Sequence, residues 1–169
     1  RMLVSTGVQR KWAVESYDIS TAFLQGRELS EVRTKDGEER LAGMRPPPDC
    51  WNLLQEIMDP AQSQALPPSG QEYNWAWELY CAAYGLEDAP RLGNQDLVGT
   101  LKTRVGMHGS VYDESVFYLR AQNGSWGGNK GDLIRMITVH VDDLGVTGTP
   151  EAREFLHKTL ETRYGALTR

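Results

Sequence analysis

Cysteine is scarce in this chain of 169 residues: Cys50 and Cys81 are the only two, and their spacing matches no metal-ligand pattern. With three histidines and no His/Cys cluster, no zinc site is indicated, and so few thiols fit a reducing compartment. Long apolar runs are missing too, so no membrane span is expected, and Arg1-Met2-Leu3-Val4 followed by Ser5, Thr6 and Gly7 lacks the layout of a signal peptide. A first residue that is Arg rather than Met reads as a cut from a longer protein. Positive charge is in deficit: 18 Lys and Arg stand against 23 Asp and Glu, a net charge of −5. That balance argues against general affinity for nucleic acid, because phosphate contacts are carried by Lys and Arg. No internal repeat or low-complexity tract is present.

What remains is ordinary globular composition, 40% hydrophobic and 24% charged, which excludes wholesale disorder and supplies one domain with a real core. Leu3, Val4 and Val8 give residues 1 to 10 one apolar helical side. WAVESYDI alternates over 12 to 19 as a strand, with Ala13, Glu15, Tyr17 and Ile19 on one face and Asp18 near its carboxyl end. In STAFLQG, Ser20 or Thr21 can cap a helical turn that Gly26 stops. Asp36-Gly37 marks a hairpin over 30 to 45. Residues 46 to 72, rich in Pro, Gln and Ser, read as a surface insertion with one short helix at Trp51 to Met58.

A strand through Trp75, Trp77 and Leu79 precedes a helix that Pro90 opens and that runs to about Val105. SVFYLRA and DLIRMITVHV are strands joined through a Gly-rich connection, LGVTG is another, and Thr149-Pro150-Glu151 starts a final helix with Leu156, Leu160 and Tyr164 on one face. Because regular helices do not separate the strands, the expected class is α+β, an antiparallel sheet with helices packed on one face.

VHVDDLGVTG (139 to 148) sets Asp142 and Asp143 between two apolar strands. An Asp pair there is an ordinary turn, since Asp bonds its own backbone and tolerates unusual angles. It is also a rigid edge from which carboxylates could hold a hard cation. Asp18 ends another predicted strand, and the three can meet if the strands are neighbours. Three such carboxylates would repel unless cations neutralise them, and two Mg²⁺ about 4 Å apart would also serve phosphoryl or nucleotidyl transfer. Oxygen-only ligands favour Mg²⁺, with Mn²⁺ as a substitute, over Zn²⁺.

Four ordered blocks, YDISTAFLQG (17 to 26), AAYGLEDAPR (82 to 91), YDESVFYL (112 to 119) and VHVDDLGVTG, resemble the reverse transcriptase of copia-type long-terminal-repeat retrotransposons. The resemblance spans nearly the whole chain and is weakest over 49 to 72. It implies a polymerase palm with a remnant of the fingers over 1 to 169, the thumb and RNase H lying outside it. The implied activity is RNA-directed DNA polymerisation, transferring a nucleotide from dNTP to a primer 3′-hydroxyl with two metal ions.

Carried over by motif, Asp18, Asp142 and Asp143 would be catalytic and metal-binding, and Ile19 would add its backbone carbonyl. The N–H groups of Thr21 and Ala22 would face the triphosphate, Phe23 would lie under the incoming sugar, and Tyr84, Gly85 and Arg91 would lie near the base and template. Implied partners are an RNA or DNA template with its primer, dNTP, and the remainder of a Gag-Pol-type polyprotein, with no membrane. The implied location is intracellular, in cytoplasmic virus-like particles and the nucleus. Phe23 and Tyr84 also fit plain core packing, and Asp113, Phe117, Trp12, Trp75 and Trp77 read as structural.

Several positions depart from the family pattern. Glu87-Asp88 replace Lys-Gln, Leu92-Gly93 replace an aromatic, and His140 stands where Tyr is usual. These departures and the acidic balance support an alternative: a catalytically inactive relic with a structural or nucleic-acid-binding role.

Overall fold

The computed structural model describes residues 1–59, 66–68, 70–122, 126 and 128–168, apart from the Phe23 side chain. The chain forms two compact units, one of residues 1–27 with 82–169 and the other of 28–81. Where a single domain with an insertion at 46 to 72 is expected from sequence, the structural division thus falls wider, at 28 and 81.

The larger unit is built on a six-stranded antiparallel sheet. Its strands are β1 (Val14–Ile19), β4 (His108–Gly109), β5 (Val116–Arg120), β6 (Leu133–His140), β7 (Asp143–Gly148) and β8 (Leu167–Thr168), in the order β4-β5-β6-β7-β1-β8. Alternation along the strands decides the faces. Tyr17 and Ile19 of β1, Leu144 and Val146 of β7, Ile137 and Val139 of β6, and Phe117 and Leu119 of β5 are all buried on one side. They share a core with two helices, α3 (Ala89–Thr103) through Leu97 and Leu101, and α4 (Pro150–Tyr164) through Ala152, Leu156, Leu160 and Tyr164. Thr149 caps α4 as its sequence predicts, accepting from the Ala152 N–H at 3.4 Å.

The helices do not all lie on one face. The amino-terminal helix α1 (Met2–Arg10) covers the other side of the sheet. A Cβ on its Gly7 would come within 2.7 Å of Val14 Cγ2, and one on Gly145 would meet Leu3 Cδ2 at 3.7 Å and Thr138 Oγ1 at 2.7 Å. Val14, Gly145 and Thr138 belong to the face opposite Tyr17 and Leu144. Helix α1 therefore buries Leu3 and Gly7, one turn apart, while Val4 and Val8 point to solvent. Close backbone approach at two glycines, which counting apolar residues cannot detect, selects that face.

The smaller unit holds β2 (Gly43–Met44), α2 (Pro48–Ile57), a 3-10 turn (Glu72–Asn74) and β3 (Trp77–Glu78), with β2 and β3 paired antiparallel. The hairpin expected over 30 to 45 is reduced to a single bridge between Arg33 and Glu39 around Gly37. Among the described residues, no helix is long and apolar enough to cross a membrane.

One core position is a charge. Arg135 of β6 is wholly buried, and its Nη1 donates to the Ala152 carbonyl, but Nε and Nη2 have no partner among the described residues. Burial pulls its pKa down to about 10, so the group is still charged at neutral pH. Since the folded-state value of this base lies below its unfolded one, the penalty is present throughout the neutral range and relaxes only above pH 10. Arg135→Met is expected to raise unfolding stability by about 1–3 kcal/mol in denaturant titrations at pH 7. A loss of stability would mean that the fold compensates the guanidinium after all.

Candidate active site

Val141 and Asp142 form a two-residue loop between β6 and β7, with His140 and Asp143 as the last pair of the hairpin. Val141 has φ of 59° whereas Asp142 is not in the positive region, the pattern of a type II′ turn, in which glycine normally fills the first position. A β-branched residue held there costs on the order of 1–3 kcal/mol, a strain that the flanking ladders must outweigh.

Those ladders bring the aspartates together. In the register of β1 with β7, Asp18 lies directly opposite Asp143, and the Ile19 N–H donates to the Asp142 carbonyl at 3.2 Å. That bond makes Asp18 and Asp143 a non-hydrogen-bonded pair, the type in which facing Cα atoms are about 4.5 Å apart and side chains come closest. Both side chains leave the sheet on the face opposite the core, and His140, paired with Asp143, extends the row. Ile19 directs its N–H toward β7, so in an extended strand its carbonyl points to the same edge. Asp18 and Asp142 are half-buried and Asp143 is exposed.

The segment after Asp18 is firmly anchored. Thr21 has φ of 57°, a second β-branched residue in the left-handed region, and Ala22–Gln25 form one turn of 3-10 helix rather than a longer helix. No backbone acceptor among the described residues takes the Thr21 or Ala22 N–H, as at the start of any helical turn. Gln25 Nε2 donates to the Tyr164 carbonyl at 2.9 Å, and Arg163 Nη2 donates to the Gln25 carbonyl at 3.0 Å. Arg163 also pairs with Asp96 of α3 at 3.2 Å, and the Tyr164 hydroxyl donates to Asp96 Oδ2 at 2.7 Å. Burial pushes the Tyr164 hydroxyl up, so it remains a neutral donor. Gln25, Asp96, Arg163 and Tyr164 therefore position the turn that follows Asp18. Single residues on three separate elements carry no sequence signal for this; Gln25 alone lies inside a motif.

The remaining candidates are placed less closely. Phe23 belongs to the 3-10 turn, but its side chain lies outside the described residues. Tyr84 is largely exposed, so core packing does not account for it. Gly85 has φ of 100°, a conformation suited to glycine, and Arg91 is exposed in the first turn of α3, which packs on the 3-10 turn. No described contact joins Tyr84, Gly85 or Arg91 to the aspartates.

The register sets Asp18 opposite Asp143, with Asp142 in the adjoining turn. Among the described residues, no group of three or more His, Cys, Asp or Glu side chains is placed to hold a metal ion. Asp142 and Asp143 are successive residues at a strand start, so their side chains diverge, and three bare anions have no reason to gather. The Asp18 and Asp143 pair nevertheless fits a hard cation, because Mg²⁺ is usually held by one or two carboxylates, with water and substrate phosphate completing the shell.

Over 161 residues, 95% of its length, the chain is 29% identical to the Retrovirus-related Pol polyprotein from transposon RE1 of Arabidopsis thaliana. It spans 8% of that protein. No family profile matches the chain, and no solved structure matches it. The likeness is thus to a small segment of a retrotransposon polyprotein and extends over almost all of this chain.

Two like charges directly opposite across strands destabilise a sheet, so Asp143→Asn and Asp18→Asn are each expected to stabilise the metal-free chain by about 0.2–1 kcal/mol. Millimolar Mg²⁺ should shrink that advantage, read as convergence of the melting curves. Val141→Gly is expected to add about 1 kcal/mol by relieving the positive φ, measured the same way; a destabilised variant would count against the turn geometry.

Proposed function

We propose that this chain is the palm, with part of the fingers, of a reverse transcriptase from a copia-type retrotransposon polyprotein. The observation that carries the reading is the cross-strand pair of Asp18 and Asp143 beside the strained Val141-Asp142 turn. Such a pair is electrostatically unfavourable by itself, and a divalent cation seated against it would offset the repulsion and supply the chemistry of nucleotidyl transfer. Support also comes from the order of the four sequence blocks and from the similarity to the transposon polyprotein over 95% of the chain.

On this reading Asp18 and Asp143 hold Mg²⁺, or Mn²⁺ in its place, and Asp142 joins them when dNTP brings its phosphates to the hairpin tip. Two such ions would divide the work, one acidifying the primer 3′-hydroxyl and the other stabilising charge on the leaving pyrophosphate. The Ile19 carbonyl supplies a further oxygen from the same edge. The turn at Thr21, Ala22 and Phe23, anchored through Gln25, lines the triphosphate and sugar, while Tyr84, Gly85 and Arg91 meet the base and template. Template, primer and the rest of the polyprotein would be its partners.

A second reading, an inactive relic, is favoured by the lack of a three-carboxylate cluster among the described residues. Calorimetric titration of the chain with Mg²⁺ and Mn²⁺, with and without dNTP, separates the two. The polymerase reading expects saturable binding near millimolar that dNTP tightens, lost in Asp18→Asn, together with a drop of at least about a hundredfold in primer extension when Asp18→Asn or Asp142→Asn is placed in the parent polyprotein. No metal binding, or undiminished extension by the variants, would overturn it.

A further inference from the structure

The unit of residues 28–81 has its own concavity of about 450 Å³, lined by Arg45, Pro46, Pro48, Trp51, Asn52, Glu72 and Tyr73. That volume lies within the range of true ligand sites. Trp51 is nearly buried, and an edge-on contact with Trp77 at 6.0 Å between centroids fixes its ring. Tyr73, on the same lining, stands 65% exposed. The Arg45 guanidinium and the Asn52 amide put hydrogen-bond donors on the lining. Glu72 supplies an exposed carboxylate, held below the usual range by backbone N–H groups of its own residue and Gly70.

Charge selects the class of occupant. Residues 28–81 carry ten Asp and Glu against four Lys and Arg, whereas the rest of the chain carries thirteen against fourteen. The excess of negative charge thus belongs to the unit that holds the groove, and it disfavours a nucleic-acid strand there despite the aromatic rings. A polyproline II peptide matches the remaining chemistry. Its rings can stack on the exposed Tyr73, its unpaired carbonyls need donors such as Asn52 and Arg45, and Lys or Arg within it would answer the acidic surroundings.

We propose that the groove lined by Trp51 and Tyr73 is a docking site for a proline-rich, Lys- or Arg-bearing peptide segment of a partner protein. This site is independent of the aspartate hairpin and of the polymerase reading.

The test is calorimetry on the whole chain with three probes: a ten-residue peptide of PxxP repeats carrying two arginines, the same peptide with every proline replaced by alanine, and an oligothymidylate of equal length. Saturable binding of the proline peptide is expected, with binding of the alanine peptide at least tenfold weaker and no uptake of the oligonucleotide. Tyr73→Ala, exposed enough to spare the fold, should weaken the peptide about tenfold, and Glu72→Gln a few-fold in a salt-sensitive way. Tyr112→Ala, outside the groove, should leave binding unchanged. Equal binding of the two peptides, preference for the oligonucleotide, no binding at all, or indifference to Tyr73→Ala would each overturn the proposal.

Discussion

The candidate site depends on one constraint, the register between β1 and β7. Because the Ile19 N–H is tied to the Asp142 carbonyl, Asp18 must face Asp143, and both must leave the sheet on the side away from the core. A slip of one residue would send Asp18 into the apolar layer of Tyr17 and Ile19, and that layer is what forbids the slip. The burial of Tyr17, Leu144 and Val139 across three strands therefore fixes the position of two carboxylates with which they make no functional contact.

Structural support for the site follows the same logic outward. Carboxylates opposed across strands and β-branched residues at positive φ are unfavourable locally, so the scaffold must be strong nearby. The helices α3 and α4 supply that strength on the buried side. Asp96, Arg163 and Tyr164 clamp them to each other, and Gln25 ties the turn after Asp18 to the same clamp. The buried Arg135 works in the opposite direction, since its Nη1 bonds the Ala152 carbonyl at the start of α4 while Nε and Nη2 have no partner among the described residues.

Much of this was legible in the sequence because it rests on periodicity and capping. The alternation of β1, the run of β6, the Thr149-Pro150 start of α4 and the placement of Asp18 at a strand end all follow from local patterns. What was not legible rests on contacts between distant residues. The side on which α1 packs is set by the room at Gly7 and Gly145, so the exposed Val4 and Val8 misled a count of apolar residues. The reduced hairpin at 30 to 45 shows a turn signal without flanking alternation failing to make strands. That Asp18 faces Asp143 depends on which strands are neighbours, and the turn at Val141 that separates Asp142 from Asp143 leaves no local pattern in the sequence.

The acidic balance of the chain also changes meaning once the units are distinguished. Taken as a whole, a net charge of −5 argues against a nucleic-acid partner. Divided by structure, residues 1–27 and 82–169 are close to neutral, with fourteen Lys and Arg against thirteen Asp and Glu, three of which are the candidate carboxylates themselves. A cation bound at those aspartates would move the unit further toward positive, which is the sign a template and primer require. The charge that seemed to oppose the polymerase reading therefore belongs to residues 28–81, and the electrostatic objection to the larger unit falls away.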